Sequence, residues 1–135
     1  MDSKSLETEW CVLQNQYDSY EKHSLYIKLA SVAVFTTAVV TQSIGLSMVA
    51  ILLVLWLQDA IWKTFQSRIE PRLLQLEQCI AGDLKAPAFQ FNREYQKNRR
   101  GLVGLIAEYL QQSVRPTIAF PHAALLLILF ALYQY

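Results

Sequence analysis

The chain has 135 residues, 53% of them hydrophobic and 17% charged, with mean hydropathy +0.21 and a formal net charge of +1. An ordinary soluble domain carries about 25% charged residues, so the composition excludes that class, and a charge so near zero excludes selection of a partner by bulk electrostatics. The length suits one small domain, spanning residues 1–135.

Residues 1–24 are polar and acidic and lack the apolar core of a cleavable signal. They are expected to stay as a helical arm. Apolar stretches follow at Leu25–Thr41, Ile44–Leu57 and Thr117–Tyr133, interrupted by one charge, Lys28. A membrane-crossing helix needs about 20 apolar residues, with a lower limit of about 17. The first and third stretches meet that limit. The second meets it when continued to Trp62, with Asp59 at the interface. The reading is a first span over 25–43, a second over 44–62, a cytosolic helix over 63–81 and a cytosolic loop over 82–100. An interfacial helix over 101–115 and a third span over 116–135 complete the chain.

Charge orients these spans. Of the 12 Lys and Arg, Lys4 and Lys22 lie in the arm, Lys28 at its membrane edge, and the rest in the connector 63–115. The Gln42 turn and the Tyr135 end carry none. Positive loops stay in the cytosol, so the N-terminus reads as cytoplasmic and the C-terminus as extracytoplasmic. Cys11 and Cys79 then lie on the reducing side, with no metal-ligand spacing.

Leu6, Trp10, Leu13, Tyr17, Tyr20, Ser24, Ile27, Ser31 and Val34 repeat at alternating spacings of four and three, a heptad seam that runs into the first span. Trp62, Phe65, Ile69, Leu73, Leu76 and Ile80 answer it after the second. The fold class is therefore an all-α membrane protein: a long antiparallel transmembrane hairpin with a coiled-coil-like cytosolic extension, an interfacial helix and a third transmembrane helix. Across the hairpin, facing residues should have numbers adding to about 88. Trp10 then meets the Gln78–Ile80 level, Tyr17 meets Pro71, and Lys28 meets Asp59. Pro71 should interrupt or kink the second helix, and Gly82 should stop it.

Several residues carry candidate chemistry. Lys28 and Asp59 either snorkel separately to the interface or form a salt bridge that locks or gates the helices, within or between chains. Ala30, Ala33, Thr37 and Thr41 form a small-residue face with Ser31 and Ala38 beside it; it serves either helix packing or a hydroxyl-lined pore. His122 follows Pro121 a turn into the third span. It is a proton-sensitive or pore group, or a hydrogen-bonding partner for a neighbouring helix. Lys28, Ser31, Thr37, Thr41, Asp59 and His122 are thus the pore and gate candidates. Arg93, Tyr95, Lys97, Arg99 and Arg100 mix basic and aromatic side chains next to the membrane, as anionic-lipid or phosphate contacts. Leu102, Leu105, Ile106, Tyr109 and Leu110 share one helix face, with Glu108, Gln111 and Gln112 opposite. Trp10, Tyr17 and Tyr20 could dock a cytosolic partner. No nucleophile elbow, phosphate loop or metal-ligand cluster is present, so neither enzyme activity nor a cofactor is expected, and no nucleic-acid binding.

Three segments carry a resemblance: YEKHSLYIKLASVAVFTTA at Tyr20–Ala38, LWLQDAIWKTFQSRIEPRLL at Leu55–Leu74, and VRPTIAFPHAALLLI at Val114–Ile128. Their order and spacing resemble a family of small bacterial three-helix membrane proteins, with Trp56, Asp59, Phe120 and His122 at the matching positions. Gln58 between Leu57 and Asp59, and Pro121 between Phe120 and His122, depart from the family pattern. More broadly the chain is similar in architecture to SLATT-type membrane effectors of bacterial conflict systems. The resemblance implies a homo-oligomer of the bacterial inner membrane that forms an ion-conducting pore in antiviral defence or stress, triggered by a nucleotide or protein activator. The alternative is a non-conducting anchor or accessory subunit that docks a cytosolic protein.

Overall fold

The computed structural model describes residues 3–97 and 101–135, without the side chains of Glu94 and Lys97. Among these residues the structure is all-helical: α1 (Ser3–Val40), α2 (Leu46–Ala81), α3 (Phe91–Lys97), α4 (Leu102–Ser113) and α5 (Pro116–Tyr133). α1, α2 and α5 are each long and apolar enough to cross a membrane.

α1 ends where Gln42 adopts a left-handed backbone, φ 53°. Its N–H bonds the Val39 carbonyl, and the Ser43 N–H bonds that of Ala38. This pair of bonds caps the last free carbonyls of the helix. The chain then turns at Gly45 into α2, which packs along α1 in the opposite direction: Glu9 meets Arg72, Tyr17 meets Gln66 and Ser24 meets Asp59. α2 passes through Pro71 as one continuous helix rather than breaking there. Its stop is Gly82, as the sequence suggests, with φ 89° and its N–H on the Cys79 carbonyl.

The seam differs from the heptad reading at its ends. Leu6, Leu13, Ser24 and Ser31 are buried as expected, but Glu9 is buried where Trp10 was placed, and Ala38 closes the row. On α2, Ile69, Leu73 and Leu76 are buried, whereas Ile80 is exposed and Cys79 takes its place. The Tyr17 carbonyl accepts from the Gln66 side chain at 3.3 Å while its phenol lies within electrostatic range of Glu70, next to Pro71, and Trp10 donates to Glu77 at 3.1 Å, just short of Gln78–Ile80. Counting symmetrically about the turn ignores polar pairs; here the buried Glu9–Arg72 pair helps pin the register. The segment 82–100 is also not loop throughout, since α3 occupies Phe91–Lys97.

Two kinds of interior result. Around the far ends of α1 and α2 the core is apolar, built from Leu6, Leu13, Ile69, Leu73, Leu76 and Cys79, with Ala86 of the following loop packed on it. Between α1, α2 and α5 the buried residues are small or polar: Ser24, Ser31, Ala38, Asp59, Ala60, Thr64 and His122, with Leu52, Ile118 and Leu129. The large apolar side chains there, including Leu25, Leu53, Val54, Phe120, Leu127 and Phe130, face outward. Water-soluble proteins arrange themselves the other way round; helices that face lipid gain nothing from hiding apolar groups from one another.

Candidate functional site

Asp59 sits on α2, one of the few charged positions in the apolar part of the chain, and is fully buried. A lone carboxylate in such surroundings is expensive and must find donors. α1 supplies Ser24, whose hydroxyl donates to Asp59 Oδ1. α5 supplies His122, whose Nε2 lies 2.9 Å from Oδ2. Lys28, one turn along α1 from Ser24, places Nζ 3.9 Å from Oδ2. The Lys28–Asp59 pairing expected from the hairpin therefore exists, but Ser24 and His122 are the closer partners. Neither was placed beside Asp59 by the sequence. The Ser24 signal was its seam position; His122 was expected to bond a neighbouring helix, but nothing local named Asp59, which lies 63 residues earlier.

The second face of His122 is also occupied. Nδ1 lies 3.4 Å from Ser31 Oγ, whose own hydroxyl can donate to the Ile27 carbonyl at 3.0 Å. The imidazole thus has an acceptor at Nε2 and, at Nδ1, a hydroxyl able to turn either way. Trp56 of α2 covers the ring, nearly parallel to it (9°) with centroids 6.1 Å apart. The Trp56 indole N–H donates to the Ser113 carbonyl at 2.9 Å, which ties α4 to the same place. The segment Ser113–Pro116 turns the chain into α5, with Pro116 at the first position of the helix, where its missing N–H costs nothing.

Four of the six pore and gate candidates, Lys28, Ser31, Asp59 and His122, therefore converge in one polar cluster that joins three helices. Thr37 and Thr41 do not join it. They are exposed, and their hydroxyls donate back to the carbonyls of Ala33 and Thr37 at 2.8 Å. Ala30 and Ala33 are exposed on the same helix.

A second buried charge pair lies at the other end of the hairpin. Arg72 holds Glu9 through two parallel bonds of 2.8 and 3.0 Å, both side chains 4% exposed. The guanidinium also reaches Gln75 at 2.7 Å and the Pro87 carbonyl at 2.9 Å. Glu9 in turn accepts the backbone N–H of Phe89, a residue with φ 58°. One ion pair thus pins the 82–90 loop onto the tips of α1 and α2. Sequence reasoning missed it because Glu9 and Arg72 look like solvated charges until the two helices are brought together.

The partner-docking candidates are engaged inside the molecule. Trp10, Tyr17 and Tyr20 are half-buried against the apolar core, and Tyr20 meets the Trp62 ring at a tilt of 33°, with centroids 5.5 Å apart. Of the ligand-contact candidates, Arg93 is exposed and Tyr95 packs against the guanidinium of Arg68, 5.1 Å from the ring centre. The side chain of Lys97, with Arg99 and Arg100, lies outside the described residues. Glu108 faces Arg68 at 3.4 Å, so the polar side of α4 turns toward α2 while Leu102, Val103, Ile106 and Leu110 face out.

No protein-family model matches the chain, and no curated protein and no solved structure does either.

Proposed function

We propose that the chain is a three-span membrane protein that acts as a small oligomeric, ion-conducting effector, with the Asp59 cluster as its gate. The observation that carries this reading is the convergence of Lys28, Ser31, Asp59 and His122 from three helices into one buried site. Ionisable groups among membrane helices are costly, and they are typical of ion pathways, proton relays and switches. Apart from this site α5 rests on few buried side chains, Ile118 and Leu129 among them. The cluster is then a latch, and releasing it frees α5 to move.

The positive connector supports a cytosolic arm and an extracytoplasmic C-terminus. The outward Leu102, Val103, Ile106 and Leu110 suit a helix lying in the inner leaflet with its polar side on the protein. A single copy packs Ala38, Leu52, Ile118 and Leu129 through its centre, so a conducting path needs several copies. The exposed face of Ala30, Ala33, Thr37 and Thr41 allows close approach of another helix. Similarity in architecture to SLATT-type effectors suggests a bacterial defence or stress setting, with a nucleotide or protein signal received by the cytosolic part.

The test is ion flux across liposomes containing the purified full-length protein. Asp59→Asn and His122→Ala are expected to change the flux severalfold relative to the unsubstituted protein, while Thr8→Ala in the arm leaves it unchanged. Flux no greater than in protein-free liposomes for all of them would sink the conducting reading. The non-conducting anchor would then stand in its place. A strictly monomeric state in lipid would do the same.

A further inference from the structure

A polar cavity of roughly 520 Å³ lies between α2, α3 and α4, separate from the Asp59 cluster. Its walls include Ser67, Arg68, Tyr95, Glu108, Gln112 and Arg115. Arg72 also touches it, but that charge is neutralised by Glu9. The remaining charges are Arg68 and Arg115 against Glu108, one net positive.

The donors on this wall are incompletely used. The central carbon of the Arg68 guanidinium lies 5.3 Å from the ring centre of Phe65 and 5.1 Å from that of Tyr95. One terminal nitrogen makes a long contact of 3.4 Å to Glu108. Its Nε is buried and has no hydrogen-bond partner among the described residues. A buried N–H left unpaired is costly and calls for an acceptor. Arg115 is exposed at the start of α5; its guanidinium donates to the Gln112 side chain at 3.2 Å and lies within electrostatic range of the Tyr17 hydroxyl. Rigid guanidinium groups with free N–H donors match the paired oxygens of a phosphate.

The geometry points to a binding site for a phosphate ester in this cavity, held between Arg68 and Arg115. The single net positive charge favours an anionic phosphate. Tyr95 supplies an aromatic wall. Glu108 competes with the ligand for Arg68, and so sets the affinity. A membrane headgroup and a soluble nucleotide share this phosphate chemistry. The headgroup source rests on the membrane placement proposed above, whereas recognition of phosphate does not depend on conduction.

Purified full-length protein in phosphate-free detergent is titrated with dioctanoyl phosphatidylglycerol, dioctanoyl phosphatidylcholine and ATP. Binding is read from native mass spectra and from the unfolding temperature. Saturable binding of at least one probe is expected. Arg68→Gln and Arg115→Gln should each weaken it about tenfold or more, and Lys22→Gln, exposed on α1 and outside the cavity wall, should leave it unchanged. Glu108→Gln should tighten it, a gain that a purely structural role would not produce. Phosphatidylglycerol binding without ATP binding assigns the headgroup, the reverse assigns the nucleotide, and both together support the shared phosphate site. Should Arg68→Gln fail to fold, the exposed Arg115 carries the comparison. The inference is overturned if no probe binds, if binding is indifferent to both arginines, or if Glu108→Gln weakens it as Arg68→Gln does. Topology and flux are measured separately, so their failure leaves this outcome readable.

Discussion

The buried charged residues of this protein, Glu9, Asp59 and Arg72, are held by neighbouring side chains rather than by water. Glu9 and Arg72 are each 4% exposed, and their two-pronged contact also satisfies the Phe89 N–H and the Pro87 carbonyl. Removing one partner leaves the other buried and unpaired, at a cost of about 3–5 kcal/mol. Arg72→Met should therefore lower the unfolding temperature in detergent sharply. Glu9→Leu combined with Arg72→Met should recover much of the loss. The recovery is incomplete because Phe89 and Pro87 still lack partners, each worth about 1 kcal/mol. Glu21 is a weaker case. Hydrogen bonds from Lys63 and Gln66 hold its carboxyl below the usual value of 4.5, against the opposing effect of burial. A depressed folded pKa stabilises above the unfolded value, and that contribution fades as pH falls through the folded one. Because the Glu21 side chain is 60% exposed, solvent screens the effect. Thermal melts between pH 6 and pH 3 should show a modest acid-side loss in the unsubstituted protein, and a smaller one in Glu21→Gln.

At the scale of the elements, the ends of the long helices are better determined than their contacts. Gly82 was legible as a stop because a left-handed residue after a helix is most cheaply glycine. Its φ of 89° makes any Cβ strained even though the space around it is open. Gly82→Ala should destabilise by about 1–2 kcal/mol. Gly45 precedes α2 with φ −170°, extended backbone open to any residue, so Gly45→Ala should stay within about 0.5 kcal/mol. Chemical denaturation of the two variants side by side gives the contrast. The continuity of α2 through Pro71 was not legible. A proline weakens a helix locally, and whether the helix survives depends on what packs on either side; here Ile69, Arg72 and Leu73 are all buried on neighbouring elements. α4 shows the same limit. Its amphipathic pattern was visible, but which face meets the protein was not, and the Arg68–Glu108 contact decides it.

For the whole molecule, the orientation in the bilayer rests on the distribution of Lys and Arg and is open to a direct check. Cys11 is exposed on the arm and Cys79 is buried in the apolar core. A membrane-impermeant maleimide should label Cys11 in inside-out vesicles and leave it unlabelled in intact cells, while Cys79 reacts only after unfolding. Labelling of Cys11 from outside would reverse the proposed topology.

Three apolar helices, the turn between the first two and the stop at Gly82 were determined by the sequence alone, because each depends on local composition, length or backbone preference. So was the rough juxtaposition of Lys28 with Asp59, which follows from a short turn between two long helices. The placement of α5 was decided only by tertiary structure. Its apolar residues run all the way round, so periodicity could not say which face packs inward. His122 points at Asp59 because a buried carboxylate needs donors and α5 brings one to it. The Glu9–Arg72 pair and the cavity around Arg68 likewise join residues far apart in the chain. Such pairings are products of the packed fold, since long-range neighbours leave no mark on the local pattern.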